Sequence, residues 1–173
     1  TRFLLANKNW DGFIIEANKN SVKDIKSQKI YWKHNLIVEN QFVDQNNINT
    51  IIKKINIPKK LGLLSLDIDG IDYWVLKKLS VLEPSILICE YNALFGQKKA
   101  ITVPYKKNYI RSNEHYSNLF YGASIKAFID LLKKKNYFFI GTNSAGNNAF
   151  FVNKNIWKKV KKLIHEKKIF ISK

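Results

Sequence analysis

The sequence is poor in the residues that mark several common protein classes. It has one cysteine, no methionine, three prolines and only two arginines, Arg2 and Arg111, among 173 residues. A single cysteine, Cys89, cannot form an intrachain disulfide, which fits a reducing compartment, and we expect it to be a small core residue. No apolar run approaches the roughly 18 to 20 residues that span a bilayer. We therefore predict a cytoplasmic protein without a transmembrane segment.

Acidic residues are also few, with 13 Asp and Glu against 30 Lys and Arg, which gives a formal net charge of +17. This excess invites a nucleic-acid or membrane hypothesis. The lysines are scattered beside abundant Asn and Ile, however, and there is no arginine-rich tract or Gly/aromatic RNA-binding signature. A solvated lysine-rich surface is therefore favoured, nucleic acid is not the expected partner, and the sequence does not indicate an oligomeric state.

The length and a hydrophobic content of 46% fit one globular domain over residues 1–173. Apolar patterns alternate between short strands and amphipathic helices, with an edge strand expected over Ile30–Val38. This alternation predicts a doubly wound α/β fold, with a mostly parallel sheet covered by helices on both faces. Two short apolar runs flank GTNSAGNN near the end and predict an antiparallel hairpin over residues 137–152.

The central stretch is LGLLSLDIDGIDYW, residues 61–74, where a buried-strand pattern ends abruptly in three aspartates, Asp67, Asp69 and Asp72. A second such strand, SILICEYN over residues 85–92, ends in Glu90 and Asn92. Ligands of open α/β sheets bind outside the carboxyl ends of the strands, so these side chains predict one site. Asp72 is expected to cap the next helix, and Asp69 could serve either the turn or the chemistry.

Several ordered blocks in this chain carry a family resemblance. GFIIEAN, LLSLDIDG and YFFIGTNSAGNNAFFVNK together resemble a class I S-adenosylmethionine-dependent methyltransferase. Four segments are similar to sequences of the FkbM-like branch, namely DIDGIDYW, CEYNALFG, YGAS and GTNSAGNNAFFV. Members of this branch methylate hydroxyl groups on sugars and secondary metabolites. The resemblance covers residues 3–153. It implies a Rossmann-like three-layer sandwich and an enzyme that transfers a methyl group to an oxygen of a glycan or small metabolite.

The resemblance fails at the front of the chain, where the family's first strand and Gly-rich turn are missing. The chain begins at Thr1 and contains no Met, so we expect it not to be a complete translation product. That first strand is central in the family's sheet, between the strands that resemble residues 13–16 and 61–68. We therefore expect a fragment that binds the cofactor poorly or not at all.

The resemblance also implies roles for particular residues. Glu16 would accept the ribose hydroxyls of S-adenosylmethionine, and Asn18 and Asp67 would complete the cofactor side. From their own chemistry, the carboxylates Asp67, Asp69 and Glu90 at adjacent strand ends could supply a base for the acceptor hydroxyl or hold a cation such as Mg²⁺, with Asp69 and Glu90 as its ligands. His115 is a further candidate for a catalytic base. Asn92 and Tyr121 would contact the acceptor.

His115 and Tyr121 fall in a long polar-aromatic segment, residues 93–122, whose length predicts a lid. A surface role for His115 is the simpler alternative, and His34 and His165 have weaker claims to a role in the site. The rival function for the whole chain is a noncatalytic Rossmann-like module whose basic surface binds polyanions such as nucleic acid or anionic glycan.

Overall fold

The computed structural model describes residues 2–163, which form two compact units. The first comprises the chain up to residue 43 together with residues 50–57, and the second comprises residues 44–49 and the chain from residue 58. The expectation of one domain over residues 1–173 stays a prediction. His165, a weaker histidine candidate for the site, lies outside the described residues. None of the helices in the described range is long and apolar enough to cross a membrane.

The first unit pairs two short parallel strands and packs helices against them. Its elements are α1 (Arg2–Lys8), β1 (Gly12–Glu16), α2 (Lys19–Ser27), α3 (Lys29–Lys33) and β2 (Leu36–Asn40). β1 and β2 run parallel with Phe13 opposite Ile37. A small core is formed by Leu5, Val22, Leu36 and Val38. The next helix, α4 (Ile48–Lys54), has residues in both units.

The expected strand over Ile30–Val38 is wrong in its first half. Residues 29–33 form α3, and only the residues from Leu36 onward form a strand. The amide of Tyr31 donates to the carbonyl of Gln28, and Ile30 and Tyr31 pack on the small core from this helical turn. A short apolar run satisfies a helix and a strand equally well, and here packing against the core decides for the helix.

The second unit is built on a four-stranded mixed sheet. Its elements are β3 (Lys60–Leu66), α5 (Asp72–Lys78), β4 (Glu83–Glu90), α6 (Arg111–Glu114), α7 (Ile125–Lys134), β5 (Tyr137–Thr142), β6 (Asn148–Asn153) and α8 (Lys154–Lys161). The strand order is β3-β4-β6-β5, with β3 parallel to β4 and β6 antiparallel to both of its neighbours. The antiparallel hairpin predicted from GTNSAGNN is confirmed.

Apolar side chains fill the second unit as the strand and helix patterns require. Leu87 and Cys89 of β4, Phe151 of β6 and Phe128 and Leu132 of α7 are all fully or almost fully buried. Cys89 is therefore the core residue that was expected. Ser124 caps α7 by accepting from an amide in its first turn, which begins the helix at the residue where the amphipathic pattern starts.

The α/β class is confirmed, but the strands do not form one sheet. Among the described strands, β1 and β2 make a parallel pair, and the other four make the mixed sheet. The expected single, mostly parallel sheet therefore needs correction. Strand pairing depends on contacts distant in sequence, so the local patterns that located the strands could not determine which of them pair.

Candidate functional site

Three carboxylates meet at the carboxyl ends of β3 and β4. The two strands run parallel with Leu66 opposite Cys89, so Asp67, which follows β3, and Glu90, which ends β4, come to the same edge of the sheet. Asp67, Asp69 and Glu90 each offer one carboxylate oxygen, and these three atoms all lie within 4.8 Å of one another. We call these three residues the acid cluster. It is the convergence that the two strand endings led us to expect.

Glu90 is the buried member of the acid cluster, with only 8% of the residue exposed. Its Oε2 atom has no hydrogen-bond partner among the described residues. Burial, followed by the negative charges of Asp67 and Asp72, raises the pKa of Glu90 to about 8. A buried acceptor without a hydrogen-bond partner costs about 1 to 3 kcal/mol, so the unpaired oxygen of Glu90 lowers the free energy of unfolding.

Asp67 is subject to the same forces more weakly. Burial raises the pKa of its carboxyl, and the charge of Asp69 raises it further, while a side-chain hydrogen bond with Glu90 and the charge of Arg111 lower it. Asp67 and Glu90 therefore both bind their protons more tightly than an isolated carboxyl group does.

Asp69 presents its carboxylate to solvent from an unusual backbone position. Its φ angle is 57°, in the left-handed region that Asp tolerates better than most residues, and its side chain is 72% exposed. Its Oδ1 atom lies 3.3 Å from Nη1 of Arg111. The arginine also donates from Nε to the carbonyl of Asn118, and its guanidinium carbon lies 3.6 Å from the ring centroid of Tyr121.

The turn that carries Asp69 is held from inside by Asp72. This side chain is completely buried, and its two oxygens accept from the amides of Ile68 at 2.9 Å and Gly70 at 3.0 Å. Burial raises its pKa to about 6, although those two hydrogen bonds oppose the effect. Asp72 was expected to cap α5, but the N-cap residue is Ile71. The carboxylate instead organises the turn before the helix.

Asn92 fixes the long segment above the turn. Its Nδ2 donates to the carbonyls of Leu119 and Tyr121 at 2.9 and 3.1 Å, and its Oδ1 accepts from the amide of Leu94 at 3.1 Å. The residue is 1% exposed. These bonds explain the position of Asn92 through the protein itself, and its expected contact with an acceptor stays a prediction.

The segment 93–122 has little regular structure, as predicted, but it is tied to the site. It contains a 3-10 turn at Ala93–Phe95 and the short helix α6. The amide of Gly122 donates to the carbonyl of Gly70 at 2.8 Å, and a Cβ atom at Gly70 would overlap the ring of Tyr109. A groove of about 390 Å³ opens there beside Asp69, lined by Tyr109, Ile110, Arg111, Ser112 and Asn118.

A larger cavity, of about 590 Å³, lies elsewhere in the second unit. It is lined by residues at the start of β4 and of β5, including Glu83 and Tyr137. Because the acid cluster lies at the opposite end of β4, we assign the candidate site to the smaller groove.

The structure places the two remaining lid candidates differently. Tyr121 stacks on Arg111, which in turn contacts Asp69, so it lies close to the acid cluster. His115 is exposed, its Nδ1 lies 2.7 Å from the hydroxyl of Ser117, and its ring packs against Tyr116. It is not one of the clustered ligand groups found in the described chain. Its catalytic role stays a prediction.

Glu16 and Asn18, the expected cofactor residues of the first unit, form one local motif at the carboxyl end of β1. The amide of Asn18 donates to Oε1 of Glu16 at 2.7 Å, and Oδ1 of Asn18 accepts from the amides of Asn20 and Ser21. Asn18 is thus the N-cap of α2. Asn40 donates to the carbonyl of Glu16 and fixes the turn from β2. The carboxylate is therefore held in a defined orientation, and its contact with a cofactor stays a prediction.

Sequence reasoning missed the importance of Arg111 and Tyr109. One signal was available for Arg111, because it is one of two arginines in a chain whose other basic residues are all lysines. An arginine offers a planar fork that stacks on aromatic rings and binds carboxylates, which lysine does not provide. No local pattern marked Tyr109 as the ring that covers Gly70.

Comparisons with known proteins do not assign a class to this site. No protein-family model, no curated protein and no solved structure matches the chain. The chemistry of the site must therefore be argued from its own residues.

Proposed function

We propose that this chain is an S-adenosylmethionine-dependent methyltransferase of the FkbM-like type, which methylates an oxygen of a glycan or small metabolite. The single observation that supports this most is the acid cluster at the carboxyl ends of two neighbouring parallel strands, where α/β enzymes bind their ligands. The ordered sequence blocks from GFIIEAN to GTNSAGNNAFFV supply the class.

A Rossmann-like, doubly wound fold with its first strand missing is part of this proposal. The parallel pairing of β1 with β2 in the first unit, and of β3 with β4 in the second, supports this part of the proposal, because doubly wound folds are built on parallel strands.

The acid cluster suits the acceptor half of a methyl transfer. When the acceptor oxygen takes the methyl group, the carbon–sulfur bond of the sulfonium breaks and the hydroxyl proton must leave. A carboxylate of the cluster can take that proton, or a cation held by the cluster can acidify the hydroxyl. The groove beside Asp69 provides a place for the acceptor, with Tyr121 and Arg111 at its margin.

The cofactor half rests on Glu16. S-adenosylmethionine would supply the activated methyl group. Its two ribose hydroxyls can donate hydrogen bonds to a carboxylate held in a fixed orientation. Glu16 fits that requirement, because the amide of Asn18 and the end of β1 fix its carboxylate in one orientation. Glu39 on the adjacent strand β2 lies opposite Ile15 and offers a matched control carboxylate.

Calorimetric titration of S-adenosylmethionine into the 173-residue chain, and into a version extended upstream by a strand and a Gly-rich turn, tests this proposal. We expect the extended protein to bind, Glu16→Gln to weaken binding at least about tenfold, a loss of about 1.4 kcal/mol, and Glu39→Gln to leave it unchanged. Failure of both proteins to bind S-adenosylmethionine would refute the proposal. Equal losses for Glu16→Gln and Glu39→Gln would refute the assigned role of Glu16.

The rival function, polyanion binding, is supported by the net charge of +17. On α8 the lysines are exposed, while Trp157 stacks on Phe138 of β5 with ring centroids 4.7 Å apart. A basic outer face of this kind could bind nucleic acid or anionic glycan. Strong binding of random oligonucleotides that weakens steeply with salt, together with no binding of S-adenosylmethionine, would favour this function.

A further inference from the structure

We propose that Asp67, Asp69 and Glu90 hold a hard divalent cation at the carboxyl ends of β3 and β4. Carboxylate oxygens are the ligands that Mg²⁺, Mn²⁺ and Ca²⁺ prefer. The inference goes beyond the proposed methyl transfer and does not depend on it, because a cation site can be tested without any cofactor.

The spacing of the three oxygens fits one ion. Calcium lies about 2.4 Å from its oxygen ligands, so two ligands on opposite sides of the ion are about 4.8 Å apart. The three carboxylate oxygens lie within that distance of one another. For Mg²⁺, with bonds of about 2.1 Å, opposite ligands are about 4.2 Å apart, so the widest pair would have to close by up to about 0.6 Å.

The second observation is the buried oxygen of Glu90. Oε2 has no hydrogen-bond partner in the described part of the chain, and the residue is 8% exposed. Its neighbours in the acid cluster are carboxylates, and ionised carboxylates only accept hydrogen bonds. The described residues therefore leave this oxygen without a hydrogen bond at the point where three carboxylates converge, and a cation bound there could pair with the Glu90 carboxylate.

Within the described chain, the acid cluster has few basic residues around it that could take the place of a bound cation. Three carboxylates converge, and Arg111 is the one basic residue in an ion pair with them within residues 2–163, at 3.3 Å from Asp69. The Arg111 contact is made to Asp69, whose side chain is 72% exposed. Arg111 is therefore a competitor for Asp69, and its removal should tighten cation binding.

Manganese binding to the 173-residue chain tests the site, with free Mn²⁺ measured by electron paramagnetic resonance after treatment with EDTA and desalting. We expect one Mn²⁺ per chain, displaced by Ca²⁺ and Mg²⁺. Glu90→Gln and Asp69→Asn should each weaken binding by at least about tenfold, since each removes one ligand charge. Glu83→Gln is the matched control, because it makes the same change at the other end of β4, where Glu83 pairs with Lys59, and it should bind as the parent does.

The proposal is overturned if the parent chain binds no Mn²⁺, or if Glu90→Gln and Asp69→Asn bind it as well as Glu83→Gln does. Thermal melts establish that each variant is folded. Of the two variants, Asp69→Asn should disturb folding less, because the side chain of Asp69 is exposed. Arg111→Gln should bind Mn²⁺ more tightly than the parent, and weaker binding would contradict the competition. S-adenosylmethionine is absent throughout, so a failed cation site and a failed methyltransferase are separate outcomes.

Discussion

Replacing Glu90 by Gln should stabilise the metal-free protein, and the gain should depend on pH. The pKa of Glu90 is raised from 4.5 to about 8, so the folded state keeps its proton over a range in which the unfolded state has lost it. Stability is therefore lost as pH rises from about 4.5 to about 8, and the loss then levels off. Glutamine has the same shape and no charge, so Glu90→Gln does not suffer this loss.

The magnitude follows from the size of the shift. A difference of about 3.5 pH units, at about 1.4 kcal/mol per unit, gives an upper bound of roughly 5 kcal/mol above pH 8. At pH 5 the same relation gives less than about 1 kcal/mol. Local relaxation and water entry lower the cost of the buried charge, so we expect Glu90→Gln to raise the free energy of unfolding by about 2 to 3 kcal/mol at pH 8.5.

Urea denaturation at pH 5 and pH 8.5, with EDTA present, measures this difference. The parent, Glu90→Gln and the control Glu83→Gln should be compared at both pH values, since the pairwise differences cancel titration elsewhere in the chain. Glu83 is an exposed residue paired with Lys59, so its variant should differ from the parent by less than about 1 kcal/mol at either pH. A Glu90→Gln gain that is equal at both pH values, or a loss at pH 8.5, would refute the argument from burial.

Three further changes probe the supports of the site. Gly70→Ala should lower the free energy of unfolding by about 1 to 3 kcal/mol in urea titrations, because its Cβ would overlap the ring of Tyr109. Asn92→Ala should cost about 1 to 3 kcal/mol and speed limited proteolysis within residues 96–122, because two carbonyls of that segment lose their donor; cleavage at the parent's rate would contradict this. Asn18→Ala removes the cap of α2 and should cost about 1 kcal/mol by thermal melt, whereas an unchanged melting temperature would count against the cap.

The strands that flank the site could be predicted because their signals are local. The apolar run of residues 61–68 and its polar ending located β3, and SILICEYN located β4 within two residues at each end. The meeting of Asp67 with Glu90 then followed from the rule that parallel strands end at the same edge. Locating the two strands needed only a short window of sequence, whereas the convergence of Asp67 and Glu90 also required that β3 and β4 pair side by side.

The remaining features depend on contacts that no short window contains. Arg111 reaches Asp69 across 42 positions of the chain, and Asn92 binds carbonyls 27 and 29 positions away. The use of Asp72 inside the turn, instead of as a helix cap, depends on where the amides of Ile68 and Gly70 point. The division of the strands into two sheets is likewise a long-range outcome that amphipathic periodicity does not encode.

The charge balance of the chain bears on why the acid cluster exists. The sequence has 30 basic residues, and described lysines pair with Glu83, Glu114 and Asp130, yet within residues 2–163 only Arg111 forms an ion pair with the cluster. Although lysine is abundant in the chain, none of the described lysines forms an ion pair with the acid cluster. In addition, Glu90 is buried, and its Oε2 atom has no hydrogen-bond partner among the described residues. Local violations of the rules that stabilise a fold are expected where a protein binds or reacts. The unpaired oxygen of Glu90 is one such violation, and the proposed cation would remove it by pairing with the Glu90 carboxylate.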